Sequence, residues 1–439
     1  MHDRTRRLLC RTVFLTFCVA PTLFATGWIC VVRSPVYVAY QKTSWERTLS
    51  DQLGLIVSID NVDHPVRGVT ALEGVELADP ETRELVARVR QIEIGQNKDE
   101  WVLLASQPVI QGDRVWHFWE VLHDRLLRGH RSSDLRAQLV AGEVTIRRAE
   151  GDAASTLTGV RCRLAPTAEG PQATLEFRDV AFEMAEPAQL RVTRNRQVSP
   201  PATRWELHTG TTAFPCSMLA EQIEVLASLG DEATFQGTVQ AMSTANGWEG
   251  EITGRFSQVD LDRVVTNRFD HKLSGTAEIV LQRAAFAGGR LVDAAGDMAC
   301  EGGVVSWSLL DQAHESLGLV ADARVRSVEA NSLWRFHQLK FGFSLSREGI
   351  NIMGHCDSAG QGVVMADENG PLLTDNPQEI VQVVALVRTL ASKSVEQVPA
   401  APEAYQLFHV LPIPSTRSEP EVATPRPIHS PLRLRPVPH

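Results

Sequence analysis

Alternation of apolar and polar residues with a period of two runs through most of this 439-residue chain and constrains its fold more than any other feature. Val144 and Ile146 flank Thr145, and Leu175 and Phe177 alternate with Glu176 and Arg178. The same spacing returns in Phe235/Gly237/Val239, Ile252/Gly254/Phe256, Ala277/Ile279/Leu281, Phe341/Phe343/Leu345 and Ile350/Ile352. Successive side chains of a strand point to opposite faces, so the pattern describes strands with one buried and one solvated face. Glycine- and aspartate-containing turns recur about every ten residues, as in an antiparallel all-β chain. After Phe177 the phase slips by one at Arg178-Asp179 and resumes as Val180/Phe182/Met184, which predicts a bulge.

Helices punctuate this pattern. Val115, Phe118, Trp119, Leu122 and Leu126 recur at helical spacing, as do Leu219, Ile223, Leu226 and Leu229. A shorter set comprises Leu261, Val264, Val265 and Phe269. The clearest predicted helix runs from Pro377 to Ser392 after Asn376, with Pro377 at its first position and Glu379 completing a capping box. Its stripe is Ile380, Val383, Val384, Val387 and Leu390, and a helix of this kind caps a sheet.

The N-terminus reads differently. Arg4, Arg6, Arg7 and Arg11 precede an uncharged run from Thr12 to Val32 that closes at Arg33. At ~1.5 Å per residue this run spans ~31 Å, the hydrocarbon thickness of a bilayer. It exceeds a signal-peptide core of ~7–15 residues, and no A-x-A cleavage site follows it. The expectation is an uncleaved transmembrane helix over residues 12–32. Basic residues crowd its N-terminal side, so the N-terminus is expected in the cytoplasm of a bacterium and the bulk in the periplasm.

Composition excludes more than it identifies. Formal charge is −10, and no basic stripe interleaved with aromatics appears, so nucleic-acid binding is not expected. Cys162, Cys216, Cys300 and Cys356 lie far apart in the body after the N-terminal run, without a C-x-x-C, and their pairing stays open between disulfides and buried thiols. Ten of 23 prolines fall in the last 41 residues, which reads as a disordered or polyproline tail. The tail is either a solvated linker or a recruiter of a proline-recognising partner.

Catalytic and metal-binding patterns find little support. His117, His123 and His130 are spaced by six and seven, not by the three or four that places two ligands on one helix face. His123-Asp124 pairs a base with an orienting carboxylate, but nothing nearby in sequence completes the set. His314-Glu315 lacks the second histidine of H-E-x-x-H. His355-Cys356-Asp357-Ser358-Ala359-Gly360 carries an Asp-Ser pair that reads as a turn between strands. Gly288-Gly289 and Gly302-Gly303 match neither phosphate-loop pattern. No catalytic residue, metal or cofactor is expected.

One short pattern repeats: Leu72-Glu73-Gly74-Val75 and Leu157-Thr158-Gly159-Val160, each between two apolar alternations. The first follows Leu49-Ser50-Asp51-Gln52-Leu53-Gly54 and Val57-Ser58-Ile59-Asp60-Asn61-Val62, and precedes Gln91-Ile92-Glu93-Ile94. This order resembles the start of AsmA-like proteins of Gram-negative envelopes, in which a helix ending in Leu-Gly leads to a strand, a Leu-x-Gly-Val turn and a second strand. Leu273-Ser274-Gly275-Thr276-Ala277 to Gly302-Gly303-Val304-Val305-Ser306 resembles the C-terminal region of that family, and Phe341 to Met353 and Gly360 to Met365 continue it. The resemblance runs from about residue 8 to 370, and the tail has no counterpart in it.

The resemblance implies an inner-membrane anchor carrying an elongated, curved antiparallel sheet whose apolar inner face handles phospholipid or serves envelope assembly. Alternation alone fits equally a β-sandwich whose two apolar faces cover each other. Leu175, Phe177, Val239, Ile279, Leu281, Phe341 and Phe343 are therefore either lipid-facing or core. The expected organisation is a basic segment 1–11, a membrane helix 12–32, β-rich regions 33–215 and 216–395, and a tail 396–439. The alternative function is a structural scaffold with a closed core and a partner-recruiting tail; a periplasmic hydrolase comes third.

Overall fold

A computed structural model describes residues 11–32, 34–129, 135–147, 154–179, 186–211, 213–218, 224–244, 247–288, 290–327, 332–356, 358–376, 380–390 and 411. Its N-terminal part corrects an expectation. Leu15–Val19 is a π-helical turn, followed by α1, Ala20–Val32. Pro21 has no amide hydrogen, so the α-helical bond back to Phe17 cannot form. Thr16, Thr22 and Thr26 turn their hydroxyls onto carbonyls four residues earlier. A 13-residue helix covers ~20 Å, short of a ~30 Å hydrocarbon core. Among the described residues no helix is long and apolar enough to cross a membrane. This overturns the span expected over 12–32, and with it the inner-membrane, N-terminus-in placement built on that span.

The next helix, α2 (Pro35–Leu53), has clear stops in its sequence. Ser34 caps it by accepting from the Tyr37 amide, Pro35 fills the first turn, and Gly54 ends it in the left-handed region at φ +77°. Trp45, Leu49 and Leu53 of this helix pack on the first core. Its polar side chains also finish a sheet edge. Ser50 Oγ accepts from Val57 N at 3.0 Å, and Glu46 Oε1 accepts from Ile59 N at 3.1 Å. An edge strand whose amides are taken by a helix cannot pair with another chain there.

From that edge the body is mainly β, with one hydrogen-bonded sheet of 21 strands. β1 (Ile56–Ser58) and β2 (Asn61–Asp63) both pair with β3 (Val69–Ala78), which pairs with β4 (Leu85–Asn97). β5 (Glu100–Ser106) and β6 (Val109–Gln111) then lie between β4 and β7 (Ala137–Arg147). Their pairing with β7 is parallel, which makes the sheet mixed. That crossover is closed by α3 (Val115–Leu122), which continues as a π-helical turn, His123–Arg128.

An antiparallel meander follows: β8 (Ala154–Pro166), β9 (Pro171–Asp179), β10 (Ala188–Asn195) and β11 (Ala202–His208). β11 and the short β12 (Phe214–Pro215) share the next partner, β13 (Thr234–Thr244), and α4 (Glu224–Ala227) precedes that strand. β14 (Gly247–Asp260), β15 (Thr276–Ala287) and β16 (Arg290–Cys300) continue the ribbon. β17 (Gly303–Ser306) leaves it and makes a two-stranded sheet with β19 (Leu333–Phe336). Between those two lie α5 (Trp307–Leu317), β18 (Val320–Ala321) and α6 (Ala323–Arg326). The ribbon resumes with β20 (Gln338–Leu345) and β21 (Ile350–Gly354), and is extended by β22 (Val363–Asp367), β23 (Gly370–Thr374) and β18. Among the described residues the pairings make one large mixed sheet and the two-stranded one.

Two repeated motifs resolve as strand distortions, not turns. Gly74 lies inside β3 at φ +61° and Gly159 inside β8 at φ +60°. In β8 the distortion is a bulge, since Gly159 and Val160 together oppose Phe177 of β9. At Arg178-Asp179 itself β9 pairs regularly with Thr158 and Leu157, and the strand ends at Asp179; Val180, Phe182 and Met184, where the expected phase slip would show, lie outside the described residues.

Apolar cores follow one another along the ribbon. The first joins Leu55, Val57, Ile59, Leu72, Val75 and Val144 with Phe177 and Ala188. The second joins Val259, Leu261, Val305, Leu310 and Leu372 under α5 and α6. Burying one such leucine contributes about 1.5–3 kcal/mol. The C-terminal helix α7 is shorter than expected, Val384–Leu390. Val381 is drawn instead into a β-bridge with Ile350, exchanging both backbone bonds at 2.7 and 3.0 Å, and this strips the first turn. Pro377, Glu379 and Ser392 lie outside the described residues. So does the tail, except Leu411, which is buried at 6% exposure.

Candidate functional site

Five adjacent strand pairings, from β13 to β21, line apolar residues up in rows across one face. One row runs Phe235, Phe256, Ile279, Met298 and Phe341. The next runs Gly237, Gly254, Leu281, Gly296, Phe343 and Ile352. A third runs Val239, Ile252, Ala284, Ala294, Leu345 and Ile350. The rows hold their phase because bulges absorb the mismatch. β15 has an extra residue at Gln282, and β14 bulges between Phe256 and Val259, where Gln258 takes φ +59°.

The opposite face is charged and wet. Arg255 pairs with Glu278 at 3.3 Å, and Arg283 lies 3.5 Å from Glu251 and 3.6 Å from Asp293. Such exposed pairs add little stability, but they fix which face meets solvent.

Covers sit on both flanks of the apolar face. The first row packs on the core under α5 and α6, with Ile279, Met298 and Phe341 at its margin. The third row packs against Val383 and Val387 near α7, and against Leu411. Between them Leu281, Phe343 and Ile352 stay half-buried, in a row that also holds Gly237, Gly254 and Gly296. Aromatic rings lie along those glycines: a Cβ on Gly296 would stand 3.1 Å from the Phe343 ring, and one on Gly254 would stand 3.0 Å from Phe235. The middle row is therefore a shallow apolar lane with large side chains at intervals.

The seven residues singled out from sequence divide into two groups. Val239, Ile279, Leu281, Phe341 and Phe343 fall on this one face, all half-buried. Leu175 and Phe177 lie on β9 in the first core, where Phe177 is 5% exposed and meets Phe214 edge-on with ring centroids 6.1 Å apart. Ile352 and Met298 belong to the rows and were not singled out. Their alternation is visible in sequence, but the strand order that aligns them with Phe343 and Phe341 is not.

A polar constellation around His123 has the order of a nucleophile, a base and an orienting acid. His123 Nε2 is 3.1 Å from Thr203 Oγ1, and its Nδ1 is 3.2 Å from Asp124 Oδ1. Thr203 is only 1% exposed, however, and Arg194 Nη1 also donates to its hydroxyl at 2.9 Å. Arg196 donates to the carbonyls of Leu127 and Gly129, at the end of the π-helical turn. Trp119 packs edge-on against Trp205 at 4.7 Å. These contacts dock the turn on β10 and β11. Burial pushes the His123 pKa down, partly opposed by Asp124.

The other described histidines and the serine weighed from sequence each take a different partner. Ser358 donates to Gln338 at 2.7 Å, whereas His355 faces Asp297 at 3.3 Å; Asp357 lies outside the described residues. His314 Nδ1 is held by the Leu319 carbonyl at 2.6 Å. His117 pairs with Asp79, and His130 lies outside the described residues. Cys162, Cys216, Cys300 and Cys356 are free thiols, and burial pushes Cys216 and Cys300 up to about 11. Among the described residues, no group of three or more His, Cys, Asp or Glu is arranged to hold a metal. Two open depressions of about 310 Å³ lie near Arg263 and Arg268 and near Arg191 and Arg204. Neither is lined by the apolar rows.

Compared with known proteins, the chain matches no family model, and no curated protein matches it.

Proposed function

We propose that this chain is a non-catalytic, AsmA-like lipid-handling protein whose middle apolar row receives an acyl chain. The observation that carries the reading is the alignment of half-buried Leu281, Phe343 and Ile352 across adjacent strands, with covers on either flank. Five strand spacings of ~4.8 Å make a lane of ~24 Å. A single leaflet's share of the hydrocarbon core is ~15 Å, so one acyl chain fits across the strands. The resemblance of residues 49–94 and 273–306 to AsmA-like proteins supports the same class of ligand.

A closed-core scaffold is the second reading. It is favoured by the packing of Ile279 and Phe341 against the α5–α6 core and by Phe235, which is only 5% exposed. One experiment separates the two. The full chain, purified without detergent, should carry phospholipid detectable by mass spectrometry after solvent extraction. Phe343→Glu and Ile352→Glu should each lose that lipid while circular dichroism and cooperative unfolding are preserved. Unfolding of both variants, with no lipid in the parent, would establish the closed core instead.

A further inference from the structure

We infer that the C-terminal tail docks back onto the lipid-receiving face of its own chain, with Leu411 as the peg, and competes with an acyl chain for that face. The competition rests on the lipid-handling reading; the docking rests on packing alone. Leu411 is 6% exposed and belongs to a buried cluster with Ala284, Ala294, Leu345, Ile350, Val383 and Val387. Four of these form the third row of the face, and Leu281, Phe343 and Ile352 pack against the same cluster.

Ala284 of β15 and Ala294 of β16 are direct partners, so two small side chains meet where neighbouring rows carry leucine and phenylalanine. Leu411 belongs to the same buried cluster as this alanine pair. Leu411 stands in the only strongly apolar stretch of the tail, Tyr405-Gln406-Leu407-Phe408-His409-Val410-Leu411-Pro412-Ile413. Pro412 and Pro414 lack amide hydrogens and cannot donate to a strand ladder, so the docking rests on side-chain packing at Leu411. A ligand that needs the vacated face binds with an affinity reduced by the fraction of molecules in which the peg is out.

The test uses the full chain and Leu411→Asp, with Leu411→Met as the volume-conserving control. Two readouts are taken: binding of the fluorescent fatty acid cis-parinaric acid, and amide hydrogen exchange in Ile350–Gly354 and Val384–Leu390. Leu411→Asp should bind the probe about ten-fold or more tightly and exchange faster in both segments, while Leu411→Met behaves as the parent. Equal affinity in parent and Leu411→Asp overturns the competition whatever the exchange shows. Binding by neither protein defeats the lipid reading itself, and exchange then decides the docking. Unchanged exchange in Leu411→Asp overturns the docking.

Discussion

Gly74 and Gly159 stand at equivalent points of their motifs, at φ +61° and +60°, yet their surroundings differ. A Cβ on Gly74 would lie 1.9 Å from Asp60 Oδ2, whereas one on Gly159 meets nothing nearer than Arg178 Nη1 at 3.5 Å. Alanine at either position must hold a left-handed backbone, costing about 1 kcal/mol. At Gly74 the collision with Asp60 adds to that, for a total of about 2–3 kcal/mol. Urea unfolding should therefore rank Gly74→Ala well below Gly159→Ala in stability; equal midpoints would mean that Asp60 moves freely aside. Both motifs were legible as a repeat in the sequence. That they are mid-strand distortions was not, because a glycine signals a permitted backbone without saying whether the chain turns or continues.

At the scale of elements, two histidines make helix docking sensitive to acid. His123 joins the π-helical turn to Thr203 of β11, and His271 Nδ1 meets Ser308 of α5 at 2.9 Å. Burial pushes both pKa values below the ordinary 6.5; Asp124 partly opposes this at His123, as Asp270 does at His271. A histidine whose folded pKa is depressed takes up its proton more readily when unfolded. Stability is therefore full above pH 6.5 and falls as pH drops below it, by at most about 1.4 kcal/mol per pH unit for each group. Urea midpoints measured from pH 8 to 5 should decline below 6.5, and His123→Gln with His271→Gln should flatten the decline. A slope unchanged in the double variant would assign the acid effect elsewhere.

The elements themselves were unevenly visible. Strands with strict alternation, such as β13, β14 and β20, stand where the period places them. Helix α5 has a weak sequence signal because Trp307, Leu310 and Ala313 carry a short stripe interrupted by polar residues, one of which, Gln312, is itself buried. The C-terminal helix was placed too early because pairing between Val381 and Ile350 is a long-range event that no local capping signal contains. The lack of charge in the N-terminal run favours one α-helical span, whereas the structure places a π-helical turn, Leu15–Val19, ahead of α1.

Across the whole molecule, the ribbon gives one charged face and one apolar face, and its second half leaves part of the apolar face half-buried. Sequence alone supplied the two faces, since alternation is local. It could not supply the rows, because the bulges at Gln282 and before Val259 reset which residues stand opposite each other. Phe343 belongs with Leu281 only through Gly296 between them. The function therefore turns on whether that middle row meets lipid. Photo-crosslinking with a phospholipid bearing a diazirine near the end of its acyl chain, followed by peptide mapping of the full chain, addresses this directly. The expected result is label concentrated on Leu281, Phe343 and Ile352 and their strand neighbours, reduced in Phe343→Glu. Label absent from β15, β20 and β21, or spread over the charged face to the same extent, would contradict it.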